Sequence, residues 1–365
     1  MIGKSSFTRA LPLLFTALLL PAWSMAQTAA QSAAGVRIPL LDQPALHSAK
    51  AQRSVLLAVT RAGERLVAVG ERGIILLSDD SGATWRQAQV PASVSLTSVQ
   101  FVDAEHGWAV GHLGVVLHSA DGGETWNKQL DGIQAAQLAV ASAEQGGDAK
   151  LLKAAEWLVA DGPDKPFLDL YFRDRQHGYI VGAYGLILRT TDGGASWQSW
   201  MGQVENPEGL NLYGIRAQGD QLFIAGERGL LLRSSDGGQS FQKLESPYDG
   251  SFFGLLASRR GGLLAYGLRG NAWWSSDRGD SWRQLDTGVE SALAAGLELD
   301  DGRLLLASQS GELLLSGDNG MQFEHRRTHQ GATVAAVEQA ADGSLTSVGL
   351  GGLSARQDIQ AVARP

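Results

Sequence analysis

The chain has 365 residues, of which 46 are glycine and 19% are charged, and it contains no cysteine. Glycine is at about twice its average share, and a chain of this length indicates two domains or one array of repeats. The formal net charge of −8 argues against a basic nucleic-acid-binding protein. The lack of cysteine excludes disulfides, thiolate metal sites and a cysteine nucleophile.

Residues 1–26 have the pattern of a secretory signal peptide. Lys4 and Arg9 form a basic start, a short apolar stretch follows, and small residues on both sides of Met25 form a cleavage site. The apolar stretch is well below the roughly 20 residues that span a bilayer. The sequence therefore predicts a mature chain of residues 27–365 that is exported to the periplasm or secreted. An uncleaved membrane anchor is the alternative.

A repeat runs through the rest of the chain. Six segments share the pattern Ser/Thr-x-Asp-x-Gly-x-x-Trp/Phe, and their aspartates are 41, 71, 44, 41 and 41 residues apart. A second register counts seven units, because seven short apolar strands end at Gly70, Gly111, Gly182, Gly226, Gly267, Ser308 and Gly349. Units of about 41 residues with four short strands each are typical of propeller blades. We therefore expect an all-β fold, a single seven-bladed β-propeller.

The six segments match the Asp-box motif, also called the bacterial neuraminidase repeat. In such a turn a short aspartate accepts hydrogen bonds from backbone amides, and glycine adopts the positive φ that other residues avoid. The closing tryptophan or phenylalanine buries a large apolar area over the hairpin. Because nearly every unit carries one copy, we expect a structural role, and not catalysis or calcium binding, for Asp80, Asp121, Asp192, Asp236, Asp277 and Asp318.

The two ends of the repeat array differ from its middle. The seventh unit has no Asp box and little room for a fourth strand, whereas residues 36–41 resemble a strand without a blade of their own. We expect residues 36–41 to supply the outer strand of the last blade beside Ala355. Such a closing strand would remove exposed sheet edges.

The spacing of 71 residues indicates an insertion of about one helical hairpin between blades 2 and 3. The extra residues are 131–165, where Leu151, Ala155, Leu158 and Val159 have helical spacing. A solvated decoration and a partner contact are both compatible with this pattern.

Two longer motifs resemble a known family. Residues 101–114 (FVDAEHGWAVGHLG) and 172–185 (FRDRQHGYIVGAYG), each followed by an Asp box, are similar to the photosystem II stability/assembly factor propellers. The resemblance covers about residues 36–357. It implies a non-catalytic protein without a cofactor, which binds a membrane-associated protein complex as a scaffold or assembly factor. Relatives also occur in non-photosynthetic bacteria. The insertion and the degenerate sixth Asp box, with Met321-Gln322, depart from the family pattern.

The turns between second and third strands share one face in a propeller. They place three arginines, a histidine and a tyrosine around one mouth, and these are the expected partner-binding residues: Arg72, Arg228, Arg269, His112 and Tyr184. Arginine suits bidentate binding of carboxylates and anchors interfaces. In the alternative, Glu71 and Glu227 neutralise the arginines beside them.

An enzyme of the sialidase or glycoside hydrolase class is the alternative function, because Asp boxes also occur in sialidases. Such an enzyme needs an arginine triad, a tyrosine nucleophile with its glutamate, and an aspartic acid. Tyr184, Tyr213 and Tyr248 are candidates, but the sequence identifies no arginine or glutamate partner for them. His325 and His329 lack the pattern of a zinc enzyme. We therefore expect no enzyme activity, no metal and no nucleic-acid partner. A glycan-binding or small-molecule-binding propeller is the remaining alternative.

Overall fold

The computed structural model describes residues 38–328, 332–354 and 356–359. The chain divides into two units, residues 1–39 and residues 40–365, and the second contains every sheet. The expected signal peptide and Ala355 lie outside the described residues. Within those ranges, no helix combines the length and the apolar character needed to cross a bilayer.

Seven antiparallel sheets form the unit of residues 40–365, six with four strands and the last with three strands among the described residues. Blade 1 consists of Leu56–Ala62, Arg65–Gly70, Ile75–Ser78 and Arg86–Gln87, and blade 2 of Leu96–Phe101, Gly107–Gly111, Val116–Ser119 and Asn127–Leu130. Blade 3 consists of Phe167–Phe172, Gly178–Gly182, Ile187–Thr190 and Gln198–Ser199, and blade 4 of Leu212–Gln218, Gln221–Gly226, Leu231–Ser234 and Gln242–Lys243. Blade 5 consists of Phe252–Ser258, Gly262–Gly267, Ala272–Ser275 and Arg283–Gln284, and blade 6 of Leu293–Glu298, Leu304–Ser308, Glu312–Ser316 and Glu324–Arg327. Blade 7 consists of Ala336–Gln339, Leu345–Gly349 and Gly352–Leu353. The seven-bladed prediction is confirmed.

The blades close into a ring. The first strand of each blade contacts the first strand of the next, and the first strand of blade 1 contacts the first two strands of blade 7. The 3₁₀ turn Ala51–Arg53 also contacts the last strand of blade 7, Gly352–Leu353. Contacts between blades 1 and 7 therefore join the two ends of the repeat array.

The expected closing strand at residues 36–41 is wrong in its described part, since Pro39–Asp42 is a short α-helix. The fixed φ of proline suits the first position of a helix, which explains why an apolar run after Pro39 turns instead of extending. The carbonyl of Leu40 accepts a hydrogen bond from Ser93 N at 2.8 Å, and Ala45 N donates to Val90 O at 3.0 Å. This segment therefore lies against the connection between blades 1 and 2.

The core lies between neighbouring blades. The second strand is almost wholly buried in every blade, as in Gly107–Gly111 and Gly178–Gly182. Apolar side chains on both faces of these strands pack against the blade before and the blade after, so that one cluster includes Trp108, Phe172 and Trp197. Strands buried on both faces explain why they read as continuous apolar runs.

The helical insertion between blades 2 and 3 is confirmed as two helices, Gly132–Gly146 and Ala149–Asp161. Asp131 caps the first helix in a capping box with Gln134, and Gly147 ends it with a left-handed φ of 70°. Small and apolar side chains such as Ala155 bury the hairpin against blade 3. Of the residues named for their helical spacing, Val159 is 50% exposed.

Candidate functional site

The turns between second and third strands lie at one end of the ring, which we call the turn face. In blades 1 to 5 each turn is a short 3₁₀ segment, and these are Glu71–Gly73, His112–Gly114, Ala183–Gly185, Glu227–Gly229 and Leu268–Gly270. The first N–H of each donates to the carbonyl just before the first strand of its own blade, as from Glu71 to Val55 at 2.9 Å. The start of every innermost strand therefore belongs to the same face.

The middle residue of each of these five turns has a left-handed backbone. Its φ lies between 51° and 57° in Arg72, Leu113, Tyr184, Arg228 and Arg269. This conformation costs residues other than glycine about 1–2 kcal/mol, and it is concentrated at functional sites in many proteins. Ser81, Arg278 and Asn319 of the Asp-box turns are also left-handed, with φ values of 55°, 61° and 59°, so this backbone conformation occurs at both ends of the blades.

The five expected partner-binding residues are all exposed on the turn face. They occupy five consecutive blades, with Arg72 in blade 1, His112 in blade 2 and Tyr184, Arg228 and Arg269 in blades 3, 4 and 5. His112 is also the first residue of its turn, and the position equivalent to the arginines is held by Leu113.

The glutamates beside two of the arginines hold the backbone. Glu71 accepts a hydrogen bond from Val55 N at 3.1 Å, and Glu227 accepts one from Asn211 N at 3.2 Å. Arg228 instead forms an exposed ion pair with Glu208 at 2.8 Å. In the described part of the chain, Glu71 and Glu227 thus form no ion pair with the adjacent Arg72 and Arg228, which was the alternative given by the sequence.

The surroundings of Arg269 carry both charges. Arg269 lies beside an open depression of about 660 Å³ that is also lined by Asn271, Gln284, Asp286 and Glu290. In the described part of the chain Arg269 has no ion-pair partner. The turn face at blade 5 therefore offers a free guanidinium group next to acceptors, which suits a partner surface of mixed charge.

An aromatic pair on the same face was missed by the sequence analysis. Trp157 of the second insertion helix and Tyr184 of blade 3 are 48% and 46% exposed, and their ring centroids are 5.4 Å apart. Lys165 Nζ lies 5.7 Å and 5.4 Å from the two ring centroids and pairs with Asp161 and Asp164. Helical spacing gives only the inner side of such a helix, so it could not place Trp157 beside Tyr184.

The Asp boxes lie at the opposite end of the blades, between third and fourth strands. In blade 5, Asp277 Oδ1 accepts from Ser275 Oγ at 2.8 Å and Ser281 N at 2.9 Å, and Oδ2 accepts from Ser281 Oγ at 2.6 Å. The sixth box keeps the bonds from Ser316 Oγ and Gln322 N to Asp318 Oδ1, but no described side chain donates to its Oδ2. These bonds all lie within one turn.

The same bonds stabilise the charged aspartates. The hydroxyl of Thr84, followed by its N–H and by Ser78, lowers the pKa of Asp80 to about 2. In blade 5, the hydroxyl and N–H of Ser281 lower the pKa of Asp277 to about 2. An acid in catalysis would need a raised pKa instead, so the electrostatics suit a structural turn.

Two equivalent histidines have turn contacts as well. His106 Nδ1 lies 3.2 Å from Asp103 Oδ1, and His177 Nδ1 lies 3.0 Å from Asp174 Oδ1. The backbone N–H of each histidine donates to the same aspartate at 2.8 Å. Among the described residues, no group of three or more histidine, aspartate or glutamate side chains could hold a metal ion.

A cavity of about 470 Å³ lies on the axis of the ring and is lined by the innermost strands. Tyr171 and Tyr213 line it, and Arg216 is the one arginine among the described lining residues. Burial raises the pKa of Tyr171, which disfavours the phenolate that a tyrosine nucleophile requires. An arginine triad with an activated tyrosine is therefore not assembled by the described lining. Tyr184 and Tyr248 lie outside it.

The comparison with protein families assigns the chain. The family model described as photosynthesis system II assembly factor YCF48 matches residues 57–131, 77–162 and 149–249. These overlapping matches extend from residue 57 to residue 249, more than half of the chain. The chain belongs to this family.

Curated YCF48 relatives share short segments with this family member. The photosystem II assembly lipoprotein Ycf48 of one Prochlorococcus marinus strain is 41% identical over 58 residues, 16% of this chain and 17% of the relative. That of Parasynechococcus marenigrum is 39% identical over 54 residues, 15% of this chain and 16% of the relative. The matches thus span about a sixth of the length of these relatives.

Solved propellers resemble this YCF48-family chain over most of its length. The structure of YCF48 bound to D1 peptide has a TM-score of 0.63 and 16% identity, and covers 86% of this chain and 99% of that one. YCF48 from Cyanidioschyzon merolae has a TM-score of 0.60 and 16% identity, with coverage of 85% and 97%. The GH74 enzyme of Niastella koreensis, with a TM-score of 0.60 and 10% identity, covers 82% and 52%. At these identities the likeness shows the fold alone.

Proposed function

We propose that this YCF48-family propeller is an exported, non-catalytic assembly factor, which binds a membrane-associated protein complex through its turn face. Family membership supports a role in assembly, and the YCF48 structure with a bound D1 peptide supports a protein partner. Export is supported by the signal-peptide pattern of residues 1–26. The mature chain then acts in the periplasm or outside the cell.

The observation that carries the proposal is the set of exposed aromatic and arginine side chains on the turn face. Tyr184, Arg228 and Arg269 have φ values of 57°, 51° and 56° in three consecutive blades. Ser81, Arg278 and Asn319 of the Asp boxes share this backbone conformation, so the proposal depends on the exposed side chains and not on the strain. Aromatic and arginine side chains are the residues that most often anchor protein interfaces.

In the proposed mechanism, the rigid ring holds the turn-face side chains in place for the partner. The turn backbones are fastened by the glutamate contacts and by close packing of the following glycine, since a Cβ at Gly270 would lie 1.9 Å from Val289 O. Binding therefore loses little backbone freedom, which favours affinity.

Capture of detergent-solubilised membrane proteins from the source cell tests the proposal. The protein is immobilised beside the triple variant Arg72→Glu, Arg228→Glu and Arg269→Glu. A matched control reverses Arg173, Arg278 and Arg283, which are exposed at the opposite end of the blades. We expect a defined complex to be retained by the protein and by the control and lost with the turn-face variant. Retention of the same complex by both variants, with the folded state checked by tryptophan fluorescence, would refute binding through the turn face.

A further inference from the structure

The axial cavity contains one level at which all seven blades contribute a side chain. In each blade, the residue of the first strand at this level pairs with the second-strand residue that lies three positions before the end of the second strand. Arg216 thus pairs with Phe223, and Glu338 pairs with Thr346. We call this ring of residues the belt, and it consists of Thr60, Gln100, Tyr171, Arg216, Leu256, Leu297 and Glu338. All seven line the cavity and are half-buried.

Arg216 is the cationic group of the belt and is held in a fixed orientation. Its Nη1 donates to Asp169 Oδ2 at 2.5 Å and to Ile215 O at 2.6 Å. Asp169, which is buried, is itself held by Ser98 Oγ at 2.8 Å and Ile215 N at 3.0 Å. Among the described residues, Nε and Nη2 of Arg216 have no hydrogen-bond partner. Two directed N–H donors therefore remain for an anionic ligand.

Glu338 is the anionic group of the belt, and it lies three blades away from Arg216 around the ring. Its Oε1 accepts from Gln339 N at 2.9 Å, and its Oε2 has no partner in the described part of the chain. The nearby charges are Arg61 and Asp300, which pair with each other at 3.6 Å. Glu338 is thus a carboxyl group in a confined space without a direct cation.

The wall between these two groups is apolar on one side. Blades 5 and 6 place Leu256 and Leu297 between Arg216 and Glu338 at the belt level, and Phe253 also lines the cavity. The volume of about 470 Å³ lies in the range of small-molecule sites, roughly 300–1,000 Å³. The accessible lining is more polar than apolar, so the two leucines form an apolar side within a mainly polar cavity.

We propose that the axial cavity binds a small zwitterion of dipeptide size. Its carboxylate accepts hydrogen bonds from Nε and Nη2 of Arg216, its ammonium group donates to Glu338, and an aliphatic side chain contacts Leu256 and Leu297. Arginine suits carboxylates because its planar N–H groups match both oxygens. This site is separate from the turn face and does not depend on the assembly function.

Isothermal titration calorimetry with glycyl-L-leucine tests the site. N-acetyl-glycyl-L-leucine lacks the ammonium group, and glycyl-L-leucinamide lacks the carboxylate. We expect saturable binding of the free dipeptide at pH 8, weakened about tenfold or more by either cap, because each cap removes a charged hydrogen bond.

Two conservative variants assign each end of the ligand. Glu338→Gln should bind the free and the N-acetylated dipeptide equally. Arg216→Lys, which keeps a cation beside Asp169 but loses the paired planar N–H groups, should bind the free dipeptide more weakly and prefer it over its amide by less than the unaltered protein does. Arg269→Gln on the turn face is the matched control and should bind as the unaltered protein does. The proposal is overturned if glycyl-L-leucine gives no saturable heat, if the capped peptides bind as tightly, or if both variants, shown to be folded by circular dichroism, keep the original preference.

Discussion

Trp108 of blade 2 and Phe172 of blade 3 lie face to face, with ring centroids 3.7 Å apart and planes inclined by 7°. The indole Nε1 of Trp108 also donates a hydrogen bond to Gly193 O in the Asp box of blade 3, at 3.1 Å. The hydroxyl of Tyr179 makes a similar bond from blade 3 to Gly238 O in the Asp box of blade 4 at 3.0 Å. One side chain thus joins two blades by packing and by a hydrogen bond.

Replacement of Trp108 by alanine should lower the free energy of unfolding by about 3–5 kcal/mol, as for other buried aromatic side chains. Trp108 is fully buried, and its loss leaves a cavity and removes one of the two hydrogen bonds to Gly193 O, the other being from Gln129 Nε2 at 2.9 Å. Trp157→Ala, at a half-exposed position, is the control and should cost under about 1 kcal/mol. Urea unfolding followed by circular dichroism measures both, and equal losses would contradict the role given to Trp108.

The Asp boxes should differ in strength. Asp277→Ala removes three hydrogen bonds from Ser275 and Ser281, whereas Asp318→Ala removes two, from Ser316 and Gln322. We expect the first variant to lower Tm more than the second by about 2 °C, since each bond contributes about 1 kcal/mol. Differential scanning calorimetry gives the comparison. A larger loss for Asp318→Ala would show that the hydroxyl bond to Oδ2 does not strengthen the turn.

Glu338 should make stability fall as pH rises. Burial raises its pKa to about 7, with opposing effects from Gln339 N–H and Arg61 and a small further increase from Asp300. Because the folded state holds the proton more tightly than the unfolded chain, its contribution is complete below about pH 4.5 and is lost as pH rises through about 7. We expect a loss of up to about 3 kcal/mol from this group.

The variant Glu338→Gln isolates that effect. Chemical unfolding at pH 5 and pH 8 should show a smaller decrease in the free energy of unfolding for the variant than for the unaltered protein. An identical pH dependence in the two proteins would mean that Glu338 is charged in the folded state at pH 5.

Adjacent positions on the turn face should respond to substitution in opposite ways. Arg269→Gly relieves a φ of 56° and should leave the protein equally stable or up to about 1 kcal/mol more stable. Gly270→Ala places a Cβ 1.9 Å from Val289 O at a φ of 70° and should be strongly destabilising. Thermal unfolding measures both changes. A loss of stability in Arg269→Gly would assign Arg269 a structural role.

Much of the fold follows from local patterns in the sequence. The Asp box is a set of hydrogen bonds within eight residues, and the second strands are apolar runs that end in glycine, so both recur visibly along the chain. The glycines are explained by the structure, since a Cβ at Gly70 would lie 2.1 Å from Val55 O. The insertion was predicted as well, because its helices have their own caps and spacing.

Other features depend on contacts between distant segments. The strand expected at residues 36–41 is helical from Pro39, and the chain from Leu40 contacts Ser93, which no local pattern could indicate. The pairing of Trp157 with Tyr184 depends on how the insertion packs beside blade 3, and the meeting of Arg216 and Glu338 in one cavity depends on closure of the ring. The ion pair of Arg228 with Glu208 likewise joins two loops 20 residues apart.

The helical insertion gives the ring a rotational reference. Seven similar blades would present nearly equivalent surfaces to any approaching molecule, which could then settle in several orientations about the axis. The hairpin lies beside the turns of blades 2 and 3, where Gly132 packs on Gly114 and Trp157 on Tyr184, and Lys150 Nζ donates to Pro207 O in the connection to blade 4 at 3.1 Å. A partner that contacts both the hairpin and the turn face of blades 4 and 5 can bind in a single orientation. The insertion thus removes the near-equivalence of the seven blades and gives the turn face a direction.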